Sequence, residues 1–193
     1  MHLGDVHIHS LFAAPGGPSA VMEGGVADLA HVPGLGQRIK GATTLPLLLD
    51  LLRSESGAFR PRDTSQALHR LACLHRQYVR RLRAARLATR EAQQAARDDY
   101  VSPALALLGD LILRQGEELD PWAVSLACWS YGVLDHHDDD VLGVLCRRGA
   151  TCLRAFQPID CASALVGWAR LRVRTRPQRE FVDQLLSQSL DSL

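Results

Sequence analysis

The chain has one lysine, Lys40, against 21 arginines, and that scarcity is the first constraint on its chemistry. Its five cysteines (Cys73, Cys128, Cys146, Cys152 and Cys161) form no C-x-x-C pair, and their number is odd. That pattern excludes a zinc ribbon and a complete disulfide framework, and points to small buried thiols in a reducing compartment. No apolar run is long enough to span a bilayer: the longest, Leu45 to Leu52, is interrupted by Pro46 and Asp50. The first forty residues lack the charged start and apolar core of a secretory signal. They are also poor in arginine and contain Asp5, Glu23 and Asp28, which leaves only a weak organelle-targeting composition. A net charge of +1 argues against a nucleic-acid binder that is basic over its whole surface. No glycine-rich phosphate loop or nucleophile motif occurs, and nothing in the pattern places Ser, His and Asp together, so no catalysis is expected.

What is present is an internal repeat. Three ungapped segments, each opened by a proline, run from Pro61 to Leu74, Pro121 to Leu134 and Pro158 to Leu171. Counted from the proline, offset four is small (Ser65, Ser125, Ala162) and offset six is alanine (Ala67, Ala127, Ala164). Offset ten is large (Leu71, Tyr131, Trp168), offset eleven is small (Ala72, Gly132, Ala169), and offset thirteen is leucine. Repetition at this scale sets the architecture before other signals are weighed.

A proline is tolerated in the first turn of a helix, where its missing N–H would find no partner anyway. Asp63 and Asp160 stand two residues inside, near the positive end of the helix dipole, and Asp120 precedes its proline as an N-cap. Offsets three, six, seven, ten and eleven fall on one broad face, so large side chains of one helix can enter gaps left by small ones on the next. A second apolar helix follows each copy, over about Val101 to Leu113, Val141 to Leu153 and Phe181 to Leu190. The unit is a helical hairpin, and hairpins with one buried face must stack. The expected fold is therefore all-α, an alpha-solenoid of about three hairpins over residues 43–193, after an irregular Gly/Pro-rich arm at 1–42. The arm either does nothing specific or threads between partners.

Pro121 and Pro158 are 37 residues apart but Pro61 and Pro121 are 60 apart, so the first unit carries an insertion of 23, about residues 76–98. Drawn as one helix, it gathers Arg76, Arg80, Arg83, Arg86, Arg90 and Arg97 within an arc of about 120°, with Tyr78, Leu82, Ala85, Ala92 and Ala96 opposite. The stripe would run roughly 30 Å. Glu91 is the one acid between Arg76 and Arg97, so pairing within the segment cannot neutralise seven arginines. A second basic run, Arg170, Arg172, Arg174, Arg176 and Arg179, falls in the loop of the third hairpin. Arginine's fixed donor fork suits phosphate, and a solvated face is the alternative.

The repeat resembles the octotricopeptide repeat and the related helical repeats of Fas-activated kinase-like and RAP-domain organellar proteins. Its pattern of proline, polar, Asp, apolar, small, polar, Ala is closest from Phe156 to Leu171, and Trp129 stands where that family often has tryptophan. His69 and Val166 occupy that place in the other copies, and no RAP domain is recognisable. The resemblance covers about residues 59–190. It implies organellar RNA work without a cofactor, in a mitochondrion or a plastid, with incorporation into a mitochondrial ribosome in several lineages. It favours RNA, ribosomal RNA above all, over DNA. Reading positions implied by the family are Gln66, Leu126 and Ser163, of which Leu126 carries no hydrogen-bonding side chain.

Two weaker motifs are present. Asp5-Val-His-Ile-His-Ser10 resembles the opening strand of metal-dependent phosphoesterases and amidohydrolases, with His7 and His9 on one side of a strand. His136-His-Asp-Asp-Asp140 is either a cation site or a polar turn whose aspartates favour the next helix. The last helix spreads Phe181, Val182, Leu185, Leu186, Leu190 and Leu193 over half its circumference, which suits a neighbour more than a free end. Two functional expectations stay open. One is a subunit of an organellar RNA–protein assembly that contacts neighbouring proteins through its ends. The other is a protein-binding scaffold or accessory subunit of a respiratory or ATP-synthase complex.

Overall fold

Each of the three repeat prolines opens a helix, and the residues flanking it explain why. Asp63 and Asp160 accept the backbone N–H of the residue before their proline, Arg60 at 3.2 Å and Gln157 at 3.0 Å. In the middle copy the cap sits on the other side of the proline: Asp120 accepts the N–H of Ala123 at 2.7 Å. These are the two halves of a capping box, used singly.

The computed structural model describes residues 34–85 and 89–190, and they are all-helical. The helices are α1 (Leu35–Gly41), α2 (Leu45–Glu55), α3 (Pro61–Ala84), α4 (Arg90–Ala96), α5 (Ser102–Gln115), α6 (Pro121–Leu134), α7 (Asp139–Cys152), α8 (Pro158–Leu171) and α9 (Arg176–Leu190). They pack as two layers. In one, α1, α3, α6 and α8 touch in that order; in the other, α2, α5, α7 and α9 do. The layers join where α3 meets α2 and α5, α6 meets α7, and α8 meets α9.

The register repeats with the packing. Asp139 and Arg176, which begin α7 and α9, each stand eighteen residues beyond their proline. Short 3-10 turns at Ser56–Ala58, Gly116–Glu118 and Leu153–Ala155 then turn the chain back. Each is followed by a buried large residue (Phe59, Leu119, Phe156), one cap position and the next proline. Side chains tie one unit to the next at these returns: Gln115 Nε2 donates to Phe59 O at 2.8 Å, and Arg148 Nε to Leu119 O at 2.7 Å.

Ala67, Ala127 and Ala164 are each fully buried, as are Leu71 and Tyr131, with Trp168 nearly so. Helices α6 and α8 approach backbone to backbone. A methyl on Gly132 would meet the Gly167 Cα at 2.6 Å, and one on Gly167 would meet the Trp129 nitrogen at 2.7 Å. Ser125 Oγ adds a bond to Asp160 Oδ1 at 3.2 Å across the same pair. Because Asp160 serves both the α8 cap and this bond, Asp160→Ala is expected to cost about 1–2 kcal/mol in chemical denaturation. Gln157→Ala, which leaves the carboxylate in place, should cost less than half of that.

Two boundaries differ from the sequence reading. Residues 35–41, placed in the irregular arm, form α1, whose Ile39 is fully buried. The insertion is not a single helix. It lengthens α3 by about three turns, ends at Ala85, and restarts at Thr89, whose Oγ1 accepts the N–H of Ala92 at 3.1 Å. One straight helix would carry Ala92 and Ala96 away from the body; the return buries Ala96 at 5% exposure. The motif at His7 and His9 lies outside the described residues, as does Leu193.

Candidate nucleic-acid interface

A lengthened α3 has a consequence for charge. At 100° per residue, Arg62, Gln66, His69, Cys73, Arg76, Arg80 and Arg83 share one face about 100° wide. The only acid in α3 is Asp63, which caps its start. Arg62, Arg80 and Arg83 are exposed and Arg76 is half-buried. At the N-terminal end of this face, α6 contributes aromatic rings. The Arg62 guanidinium lies 5.2 Å from the Trp122 ring centre, and His69 packs on Trp129 at 5.0 Å with planes tilted by 40°. Burial raises the Cys73 thiol pKa even though Arg70 and Arg76 pull it down, so this thiol stays protonated at neutral pH.

The remaining arginines of the expected stripe go elsewhere. Arg90 is exposed at the first residue of α4, on a different axis from α3. Arg86 lies outside the described residues. Arg97 turns inward: Nη1 donates to Leu134 O and Nη2 to Asp135 O, each at 3.2 Å. It satisfies carbonyls at the C-terminus of α6, where Asp135 is left-handed (φ 48°). Its charge, second to burial in each case, also lowers the pKa of His75 and His136. A continuous stripe from Arg76 to Arg97 is therefore corrected to Arg76, Arg80 and Arg83 on α3, extended toward the N-terminus by Arg62. Arg62 lies ahead of the insertion, and its helical spacing from Arg76 and Arg80 is the sequence signal that marks it.

In the second basic run, Arg170, Arg172 and Arg174 are exposed. Arg176 is paired with Glu180 through Nε and Oε1 at 2.7 Å, so this run is not free of acid. Arg172 takes a positive φ of 55°. Gln178, 2% exposed, fixes the loop by accepting the N–H groups of Arg174 and Thr175 at 2.8 and 3.1 Å.

The reading positions implied by the family resemblance do not form a reading edge. Leu126 and Ser163 are buried at 4% and 6% exposure. Gln66 lies against α1, its Oε1 in contact range of a methyl placed on Gly36. Between α6 and α8, Gly132 and Gly167 bring the two backbones together beside Leu126 and Ser163. An opening exists instead beside the insertion, a cleft of about 400 Å³ whose walls include Leu45, Leu74, Tyr78, Arg81, Asp99 and Tyr100.

The polar turn at His136–Asp140 is a helix start. Asp138 Oδ1 accepts the N–H groups of Asp140 and Val141, each at 3.1 Å. No group of three or more His, Cys, Asp or Glu side chains that could hold a metal occurs among the described residues. All five cysteines are free, Cys152 half-buried and the other four buried. Burial raises the pKa of every one, that of Cys146 to about 12. None of the described helices is long and apolar enough to cross a membrane.

Two packed helical layers with a basic, ring-flanked helix face define an all-helical chain with a candidate phosphate-binding surface. No protein-family model matches the chain, and neither does any curated protein or solved structure.

Proposed function

We propose that this chain is a non-catalytic alpha-solenoid subunit of an organellar RNA–protein assembly, a mitochondrial ribosome before any other, and that it holds RNA by its backbone. The observation that carries the reading is the α3 face shared by Arg62, Arg76, Arg80 and Arg83, from which Asp63, the one acid of α3, is turned aside to cap the helix start. Arg76, Arg80 and Arg83, spaced about one helical turn apart, match the repeat of a phosphate backbone more closely than that of a base edge, and Arg62 stands on the same face about four turns before them. Burial of Leu126 and Ser163 points the same way, because nothing at those positions can read sequence. Stacking of a repeat with the same offsets in three copies supports kinship with the octotricopeptide-type proteins, and that kinship supplies the organelle and RNA in place of DNA.

The test is RNA affinity against salt. Changing Arg76, Arg80 and Arg83 together to Gln should flatten the log–log slope by about 2, since each phosphate contact contributes roughly 0.7–0.9. Arg97→Gln should leave the slope unchanged and lower stability, because it caps α6. Equal slopes for the triple variant and its parent would remove α3 from RNA binding.

A second reading, a protein-binding accessory subunit of a respiratory or ATP-synthase complex, is favoured by one observation: Leu186 and Leu190 are large, apolar and 47% and 70% exposed. Nuclease treatment separates the two, since it releases the chain from its native complex only under the first.

A further inference from the structure

The walls of the cleft beside the insertion have no counterpart in the later units. There, residues 135–138 and 172–175 join the paired helices directly, whereas α3 runs on past Leu74 and returns through α4. The extension brings Tyr78 and Arg81 to the cleft, and the return brings Asp99 and Tyr100. Both of the latter sit in a π-helical turn at Arg97–Val101, closed by the Ser102 N–H on Arg97 O. Such turns recur at functional sites. This one lets Arg97 reach α6 while Asp99 and Tyr100 line the cleft. Beneath them the lining is apolar: Leu45, Leu74 and Ala96 are 6%, 4% and 5% exposed.

Arg81 and Asp99 are the cleft's only charged residues, and their signs are opposite. Both are exposed, and neither side chain has an ion-pair or hydrogen-bond partner among the described residues. Their neighbours are engaged: Arg97 holds two carbonyls, and Asp98 accepts from Gln94 Nε2 at 2.9 Å. The two charges sum to zero, so a phosphate or a simple amine would leave one of them facing its own sign. An uncharged apolar molecule would strip water from both and replace none of its hydrogen bonds. A carboxylate and an ammonium carried on one carbon beside an apolar group would satisfy the guanidinium, the carboxylate and the floor together. That combination is an α-amino acid. At about 400 Å³ the cleft lies toward the small end of small-molecule sites, which run from roughly 300 to 1,000 Å³. The half-buried rings of Tyr78 and Tyr100 add aromatic contact for a large side chain.

We infer that this cleft binds a free α-amino acid with a large apolar side chain, its carboxylate on Arg81, its ammonium on Asp99 and its side chain against Leu45 and Leu74. Arg81 lies about 140° round α3 from Arg76, off the basic face. The inference is therefore independent of the RNA reading, and neither stands or falls with the other.

Calorimetric titration of the full 193-residue chain tests it. Phenylalanine is expected to bind with a Kd on the order of 0.1–1 mM. Phenethylamine lacks the carboxylate, hydrocinnamate lacks the ammonium and glycine lacks the apolar group; each is expected to bind about tenfold more weakly, or worse. Arg81→Gln should erase the preference for phenylalanine over phenethylamine, and Asp99→Asn the preference over hydrocinnamate. Both positions are exposed, so helicity is expected to match the parent. Arg83→Gln, on the basic face, should leave phenylalanine binding unchanged. Absence of saturable phenylalanine binding, equal binding of phenethylamine, or Arg81→Gln and Asp99→Asn chains that weaken every probe alike would each overturn the inference. Adenosine monophosphate binding more tightly than phenylalanine would overturn it as well.

Discussion

Gly167→Ala is expected to destabilise the protein by about 2–3 kcal/mol, although alanine is the better helix former by about 1 kcal/mol. The sign follows from what the new methyl meets. Its neighbours are the backbone of Cys128 and Trp129, which no rotamer change can move aside. Gly132→Ala runs into the backbone of Gly167 and should behave alike. Relief requires α6 and α8 to separate, and that loosens every contact along their crossing. Gly143→Ala is the control: it sits within α7, where a methyl meets only the end of Arg147 at 3.4 Å. It is expected to stabilise by about 0.5–1 kcal/mol. Denaturant midpoints for the three variants decide the matter. A neutral Gly167→Ala would mean that the helices do not cross this closely.

Trp168→Ala should cost more, about 3–5 kcal/mol, because it empties a site that is 1% exposed. The ring meets Phe181 edge-on, with planes at 81°, and Phe181 meets Phe156 the same way at 80°. Those three rings join α8, α9 and the turn before α8, so the loss should fall on the last unit first. Hydrogen exchange in the variant is expected to speed up in α8 and α9 before α3 and α5. Because α8 and α9 pack mainly on α6, α7 and each other, damage there is felt locally. Uniform acceleration across all helices would argue that the chain unfolds as one block.

How much of this was legible beforehand differs from element to element. The proline-led helices were readable because their signals are local and agree: Pro in the first turn, an aspartate placed to cap, and small residues at fixed offsets. The second helices were readable from apolar spacing alone. Helix α1 was not, since two apolar residues, Leu35 and Ile39, amid Gly and Pro give too little periodicity; it forms because α3 offers Ile39 a place. The break at Ala85 was also illegible. Alanine, arginine and leucine all favour a helix, and only burial of Ala96 on the return decides against one. The basic face was half visible. Helical spacing found Arg76, Arg80 and Arg83, while the inward turn of Arg97 depends on the carbonyls of Leu134 and Asp135, brought close by the fold. The turns after α2, α5 and α7 hold a further repeat in Phe59, Leu119 and Phe156, two residues ahead of each proline.

The 23 added residues of the first unit leave the register on either side undisturbed: beyond them, helix lengths, return turns and caps resume as in the later units. Growth at a hairpin tip lengthens a limb without bending the trunk. Charge on the exposed part of that limb, at Arg80 and Arg83, can change while the layered body keeps its fold, whereas Arg97 at its return is tied to the end of α6.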